Sequence, residues 1–194
     1  MSRAVTQAAP VLAKLRNLAI AEHRASTDGL TGLPNARSVR ETLTRMVAQA
    51  GRATAPLSAI ALDLDHFKAL NDRHGHQAGD EALAAVGAAL RSALRTSDFA
   101  VRWVGEEFVL LPDTDLAGAA EVAGKLGEQI AAIMLAAVPA GVTASLGVAS
   151  LPEHAGTGDE LFRAADRALY GAKAAGRNRV QVAGADAAVT ADPV

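Results

Sequence analysis

Residues 99–111, with the sequence FAVRWVGEEFVLL, contain a strong structural signal in this chain. Two apolar runs, 99–104 and 108–111, flank the tripeptide Gly105-Glu106-Glu107. This pattern predicts a β-hairpin, because two strand-like runs are separated by a short segment that contains the glycine favoured in tight turns. Both glutamates then lie at the tip of the hairpin.

The other apolar runs predict strands and helices around this hairpin. In a strand over 57–65, Ala59, Ala61, Asp63 and Asp65 share one face, because side chains alternate with a period of two. The turn-rich segment 27–35 leads into a helix. Further elements are predicted as helices over 66–73, 81–94, 115–134 and 160–175, a loop over 75–79, and strands over 141–150 and 180–182. This order predicts an α+β fold with a central, mainly antiparallel sheet flanked by helices, of ferredoxin-like or palm type, rather than a doubly wound parallel sheet.

The two ends of the chain differ from its middle. Apolar residues at helical spacing predict a helix within residues 1–26, with one narrow apolar stripe. Such a stripe suits pairing with a second chain, the tail of a signalling helix below a sensor, or packing on its own domain. Residues 183–194 lack periodicity and are predicted to be a flexible tail, which leaves one domain over 27–182.

The composition of the 194 residues excludes several classes of protein. A net charge of −2 argues against general attraction to nucleic acid, and the absence of cysteine excludes disulfides and cysteine nucleophiles. The longest apolar run, 131–142, is broken by Pro139 and Gly141 and is shorter than the roughly 20 residues of a membrane helix. Because the N-terminus also lacks a continuous apolar stretch, we expect a cytoplasmic protein without a membrane span.

Acidic residues at a strand end and at the hairpin tip are the candidate reactive groups. If the strand over 57–65 lies beside the hairpin, Asp63 and Glu106 converge, and the Leu64 carbonyl adds a third hard oxygen ligand for magnesium. Paired divalent ions in such a site activate a hydroxyl and stabilise charge on a transferring phosphoryl group. The alternative is a pair of surface charges at strand ends. For Asp65, a cap on the following helix is favoured over a metal role.

Other polar residues near these carboxylates suit a nucleotide. Lys68 and the first amides of its helix can cradle a polyphosphate, and Asn71 and Asp80 can read a base edge such as that of guanine. Lys173 and Arg177, spaced i and i+4, can bind terminal phosphates from one side of a helix. Each also has an ordinary interpretation, as a solvated charge, a turn cap or a complement to a helix dipole.

Five ordered motifs resemble those of the GGDEF-domain diguanylate cyclases. They are DGLTGLPN at 28–35, DLDHFKALND at 63–72, GH at 75–76 with GD at 79–80, VGEEF at 104–108, and AKAAGRN at 172–178. The resemblance covers roughly residues 27–182, and five motifs in one order are far more specific than any one of them. It implies an enzyme that condenses two GTP into cyclic di-GMP, releasing two pyrophosphates, in a homodimer whose two sites face each other.

The resemblance also implies roles for individual residues. Asp63 and Glu106 match the carboxylates that bind Mg²⁺ or Mn²⁺, with the Leu64 carbonyl as a further ligand. Glu107 matches a residue proposed to assist deprotonation of the attacking 3′-hydroxyl. The positions that contact phosphate are Phe67, Lys68, Lys173 and Arg177, and those that read guanine are Asn71 and Asp80.

A second ligand site is implied by Arg95-Thr96-Ser97-Asp98, which matches the RxxD product-inhibition motif five residues before the signature. There Arg95 and Asp98 would bind cyclic di-GMP. Without that spacing, an ordinary ion pair at a helix end would be the interpretation.

One signature position departs from the family pattern, because Val104 stands where glycine is usual. A requirement for positive φ there would strain a β-branched residue, and its two methyl groups would obstruct a substrate that passes close by. A catalytically weak or inactive receptor for cyclic di-GMP or GTP is therefore the alternative function, and a dimerisation scaffold is a third. Ala36 replaces an arginine often found after the Leu-Pro-Asn turn, with no clear chemical consequence.

Overall fold

The computed structural model describes residues 26–184, which form a five-stranded sheet covered by helices. The elements are α1 Ala36–Ala53, β1 Leu57–Leu64, α2 Phe67–His74, α3 His76–Ala93, β2 Phe99–Val104, β3 Glu107–Leu111, α4 Leu116–Ala131, β4 Ala144–Leu151, α5 Gly158–Ala174 and β5 Val180–Val182. The strands lie in the order β2-β3-β1-β4-β5, and each pair is antiparallel except β4–β5. The α+β fold with a mainly antiparallel sheet is therefore confirmed.

Helices cover both faces of the sheet because β1 alternates between two apolar sets. Ile60, Leu62 and Leu64 belong to the larger core, which includes residues of α3 and α4. Ala59 and Ala61 belong to a second core with residues of α1 and α5. Small side chains on this second face bring α5 close to the sheet, and the C-terminal end of α5 thereby reaches the end of β1.

The predicted loop over 75–79 is wrong. Gly75, with φ +85°, alone separates α2 from α3, and Gly79 lies inside α3. A Cβ at Gly79 would collide with the side chain of Asn71 and would lie 3.1 Å from Cζ of Phe67. Gly79 is therefore required for close packing of the two helices. Its short distance from Gly75 in the sequence had indicated a turn.

Two predictions concern the ends of the chain. The N-terminal helix within residues 1–26 and the tail over 183–194 fall outside the described residues, except at Ser26 and positions 183–184. The domain limits of 27–182 stay a prediction. Within the described range, the helices are all too short or too polar to cross a bilayer.

Candidate active site

The hairpin tip is built by an irregular pairing of β2 with β3. Arg102 pairs with Phe108 and Val104 pairs with Glu107, so Trp103 is the extra residue of a β-bulge. Directly paired residues share a sheet face, and the bulge therefore places Arg102 and Val104 on opposite faces. Gly105 makes the turn with φ +56°.

Three side chains form one row across the end of the sheet. Val104 pairs with Glu107, and Glu107 also pairs with Asp63 on β1. All three side chains therefore share the face covered by α5. Glu106 immediately precedes Glu107 in the turn. The structure thus brings the predicted carboxylates Asp63 and Glu106 to the same end of the sheet.

Lys173 of α5 closes this cluster. Its Nζ lies 2.9 Å from Oδ2 of Asp63, and the two side chains are 31% and 12% exposed. Burial raises the pKa of Asp63; the Lys173 ammonium opposes that rise, and the charges of Glu106 and Asp65 add to it. Such a crowded carboxylate favours a nearby positive charge.

Glu107 belongs to the same electrostatic group. Burial, followed by the charge of Asp63, raises the pKa of Glu107, while Lys173 acts in the opposite direction. Asp63, Glu106 and Glu107, with Asp65 and Asp166 also acting on them, outnumber the Lys173 ammonium, and this excess of negative charge suits a divalent cation. The described residues contain no group of three or more His, Cys, Asp or Glu side chains arranged to hold a metal. Asp63 and Glu106 are two carboxylates that influence each other's charge at this end of the sheet, and a cation there would need further oxygen ligands beyond them.

Asp65 does not cap the following helix, contrary to the prediction. Its Oδ2 accepts hydrogen bonds from Thr143 Oγ1 at 2.7 Å and from the Asn178 amide at 3.0 Å, and its Oδ1 accepts from Ser145 Oγ at 2.7 Å. His66 occupies the cap position with φ +56° and provides no side-chain cap. Asp65 instead joins the end of β1 to β4 and to the segment after α5. Sequence reasoning missed these contacts because they join positions 78 to 113 residues apart.

The helical spacing predicted for Lys173 and Arg177 is also wrong. Helix α5 ends at Ala174, and Gly176 has φ +113°. Arg177 N donates to the Ala172 carbonyl at 3.0 Å and Gly176 N donates to the Lys173 carbonyl at 3.4 Å, the bonds of a Schellman motif. Arg177 is exposed with φ +64°, so it lies beyond the helix. The glycine just before it was the available sequence signal.

The candidate nucleotide residues lie on α2 and α3. Phe67 is buried at the start of α2, and the neighbouring Lys68 is exposed. Asn71 lies within α2 and exposed Asp80 within α3, so neither is a turn cap. Oδ1 of Asn71 is buried without a hydrogen-bond partner. An unpaired buried amide oxygen is costly, so Asn71 Oδ1 is an acceptor whose partner the described contacts do not include.

Arg95 and Asp98 lie in the turn before β2, at the opposite end of that strand from the hairpin tip. Asp98 accepts hydrogen bonds from the amides of Arg95, at 2.9 Å, and Asp113, at 3.1 Å. Among the ion pairs of the described residues, none joins the Arg95 guanidinium to Asp98, and the Arg95 side chain is exposed. Since β2 spans six residues, this turn is about 20 Å from the tip at a rise of ~3.3 Å per residue.

Val104 carries none of the backbone strain considered above. Positive φ in the turn is confined to Gly105, and Val104 is the last residue of β2. Its side chain is 64% exposed, on the face that carries Asp63 and Glu107. The effect of Val104 that can still be tested is therefore steric obstruction of the substrate by its side chain.

Comparison with known proteins identifies the family of this chain. Residues 25–179 match the family described as "Diguanylate cyclase, GGDEF domain". The chain is 43% identical over 163 residues to the diguanylate cyclase DgcP of Pseudomonas aeruginosa, covering 82% of this chain and 24% of DgcP. It is 41% identical over 165 residues to DgcM of Escherichia coli, with coverages of 84% and 39%. The chain therefore belongs to the GGDEF-domain family.

Solved structures agree with this assignment. The coiled coil and GGDEF domain of DgcB from Caulobacter crescentus, in complex with c-di-GMP, superimposes with a TM-score of 0.86 at 30% identity, covering 94% of this chain and 98% of that one. The two curated relatives are longer proteins, of which this chain spans about a quarter and two fifths.

Proposed function

We propose that this chain is a diguanylate cyclase, which condenses two GTP molecules into cyclic di-GMP and releases two pyrophosphates. The observation that carries the proposal is the cluster of Asp63, Glu106, Glu107 and Lys173 at one end of the sheet. Family membership and relatives named diguanylate cyclase support it.

A divalent cation, Mg²⁺ or Mn²⁺, is the cofactor implied by this cluster. The Asp63 and Glu106 carboxylates and the Leu64 carbonyl would hold it. When bound, it supplies neutralisation of the triphosphate and of charge that develops during transfer. The protein contributes a buried carboxylate on a rigid strand, already held by Lys173.

The nucleotide is assigned to the surfaces around the cluster. Asn71, with its unpartnered Oδ1, accepts a hydrogen bond from a guanine N–H, and Asp80 accepts a second. The phosphates lie against the start of α2, whose first amides have no side-chain cap, with Phe67 and Lys68 beside them. Lys173 and Arg177 contact the terminal phosphates from the end of α5.

The reaction needs two copies of the domain, because one site holds one GTP. Glu107 accepts the proton of the 3′-hydroxyl, whose oxygen attacks the α-phosphorus of the GTP held by the partner. The P–O bond to the β-phosphate breaks and pyrophosphate leaves. The second attack closes the ring of cyclic di-GMP. Holding the two reactants face to face supplies much of the rate, and the N-terminal helix is proposed to bring the copies together.

Chromatography of the products tests this function. The full chain at high concentration, fused to a dimerising helix and supplied with GTP and Mg²⁺, is expected to yield one cyclic di-GMP for every two pyrophosphates. Intact GTP under these conditions would contradict the enzymatic proposal. Calorimetric titration with GTP and cyclic di-GMP then separates a receptor, which binds a nucleotide, from a scaffold, which binds neither.

The exposed Val104 favours a second candidate function, a catalytically silent receptor. Under the enzymatic proposal, Val104→Gly raises turnover by less than about 10-fold, a change of about 1.4 kcal/mol in the barrier, because an isopropyl group is removed from a working site. Steady-state rates for wild type, Val104→Ala and Val104→Gly measure the effect. A rise from near zero to robust turnover would instead favour the receptor.

Product inhibition is proposed to act through Arg95 and Asp98. Arg95→Ala is expected to weaken inhibition by cyclic di-GMP at least about 10-fold, since a guanidinium contact to a guanine or phosphate is lost. Initial rates should not change, because the turn lies far from the hairpin tip. Inhibition curves of wild type and Arg95→Ala measure this, with Arg45→Ala, an exposed arginine on α1, as the control. Equal inhibition of all three proteins would contradict the assignment.

A further inference from the structure

Arg102 makes a fork of hydrogen bonds behind the hairpin tip. Its Nε donates to the Gly105 carbonyl at 2.8 Å, and its Nη1 donates to both carboxylate oxygens of Asp28 at 3.1 Å. The Arg102 side chain is only 17% exposed. One guanidinium therefore joins the turn to a residue 74 positions earlier in the chain.

Asp28 is itself held firmly. Its Oδ1 accepts from the amide of Thr31 at 2.8 Å and from the Thr31 hydroxyl at 2.7 Å. Burial alone would raise the pKa of Asp28, but the bonds from Thr31 and Arg102 outweigh it and hold the pKa below its ordinary value. The carboxylate is thus charged at neutral pH, as a charge-assisted bond to Arg102 requires.

The backbone adds to this arrangement. Arg102 N donates to the Pro34 carbonyl at 3.0 Å, and Asn35 forms a parallel bridge with Arg102. A bridge between Thr27 and Pro34 closes the loop that contains Asp28. The segment 27–35 therefore lies against β2 and provides a fixed base for the fork.

The turn depends on such support. Gly105 is exposed, and a Cβ there would meet no atom within 4 Å, so side-chain packing does not fix its backbone. Its carbonyl belongs to the peptide that joins Gly105 to Glu106. Holding that oxygen fixes the plane of this peptide and with it the position of the Glu106 Cα, from which the side chain extends.

We propose that Arg102, held by Asp28, is a positioning residue that directs Glu106 toward Asp63 and so sets the geometry of the cation site. The inference rests on the proposed function for its catalytic consequence. Its consequence for cation binding can be measured without turnover. Outer-shell partners of metal ligands change metal affinity or activity by about 10- to 100-fold when mutated.

The test compares Arg102→Gln, Arg102→Lys and Asp28→Asn in the full chain. We expect Arg102→Gln to lower kcat about 10- to 100-fold, with the KM for GTP within about 2-fold of wild type, because the proposed nucleotide contacts lie on α2, α3 and α5. Arg102→Lys should recover part of kcat, since an ammonium can reach one of the two partners. Asp28→Asn combined with Arg102→Gln should be no worse than Arg102→Gln alone, because both changes break the same fork.

Binding of Mn²⁺ gives the readout that does not depend on turnover. Electron paramagnetic resonance titration, with a GTP analogue carrying a methylene group between the α and β phosphates, should show about 10-fold weaker Mn²⁺ binding in Arg102→Gln. Lys125→Gln is the control, because it removes an exposed ion pair, with Glu121, far from the site.

The outcomes separate the inference from the function on which it rests. Weaker Mn²⁺ binding in Arg102→Gln supports the positioning role, even if wild type makes no cyclic di-GMP and the proposed function fails. Unchanged Mn²⁺ affinity and kcat overturn it. A lower melting temperature with unchanged Mn²⁺ affinity also overturns it, because Arg102 would then stabilise the fold without setting the site.

Discussion

Synthesis of cyclic di-GMP is expected to stop when Glu106 is replaced by glutamine. The amide keeps the shape of the side chain but removes the negative charge that a divalent cation requires. Loss of one electrostatic contact to a transition state commonly costs at least about 100-fold in rate, and a lost metal ligand should cost more. Initial rates of product formation, measured by chromatography, check the expected fall of at least about 100-fold.

The control for this substitution is Glu121→Gln. Glu121 is exposed on α4 and pairs only with Lys125 in the described contacts, so its loss should leave the rate unchanged. Asp63→Asn should match Glu106→Gln in direction. A Glu106→Gln protein that folds like wild type and keeps more than a tenth of its rate would contradict the assignment of this carboxylate.

The largest expected effect on stability comes from Gly147→Ala in β4. A Cβ at this position would collide with the backbone nitrogen of Leu169 and the backbone oxygen of Ala165 in α5. Backbone atoms cannot rotate away, so the helix must move off the sheet. Overpacking usually costs about 1–3 kcal/mol, and this rigid contact places the expected loss at the upper end or beyond. Chemical denaturation measures the free energy of unfolding.

Gly124→Ala in α4 is the matched control, because a Cβ there meets no atom within 4 Å. Alanine in a helix should stabilise by up to about 1 kcal/mol relative to glycine. Displacement of α5 would also move Lys173 away from Asp63, so Gly147→Ala should lose activity before it unfolds. An unfolding free energy within about 0.5 kcal/mol of wild type would show that the close packing of β4 and α5 is not needed.

Much of the fold could be predicted because most apolar runs of the sequence form the strands and helices that their patterns indicate. The run over 57–65 is β-compatible and ends in carboxylates, and it forms the central strand. The paired runs around Gly105 form the hairpin. The turn predicted at Gly79 was wrong because the sequence does not distinguish a glycine required for close packing, here against Asn71, from a glycine required for a turn.

The supports of the site could not be predicted, because they are contacts between distant positions. Asp65 binds the Asn178 amide 113 residues away, and Arg102 binds Asp28 across 74 residues. No periodicity or spacing marks such pairs. Local chemistry instead favoured a helix cap for Asp65. The bulge at Trp103 places Arg102 on the sheet face opposite to the one that it would occupy in a regular hairpin.

Asp63 and Glu106 are proposed to hold a divalent cation against the nucleotide. A crystal structure with Mn²⁺ and the methylene GTP analogue, with the ion located by its anomalous scattering, tests this placement of the cation. We predict an ion bound by both carboxylates, the Leu64 carbonyl and phosphate oxygens of the analogue. An ion bound elsewhere, or an analogue seated away from these two side chains, would contradict the account.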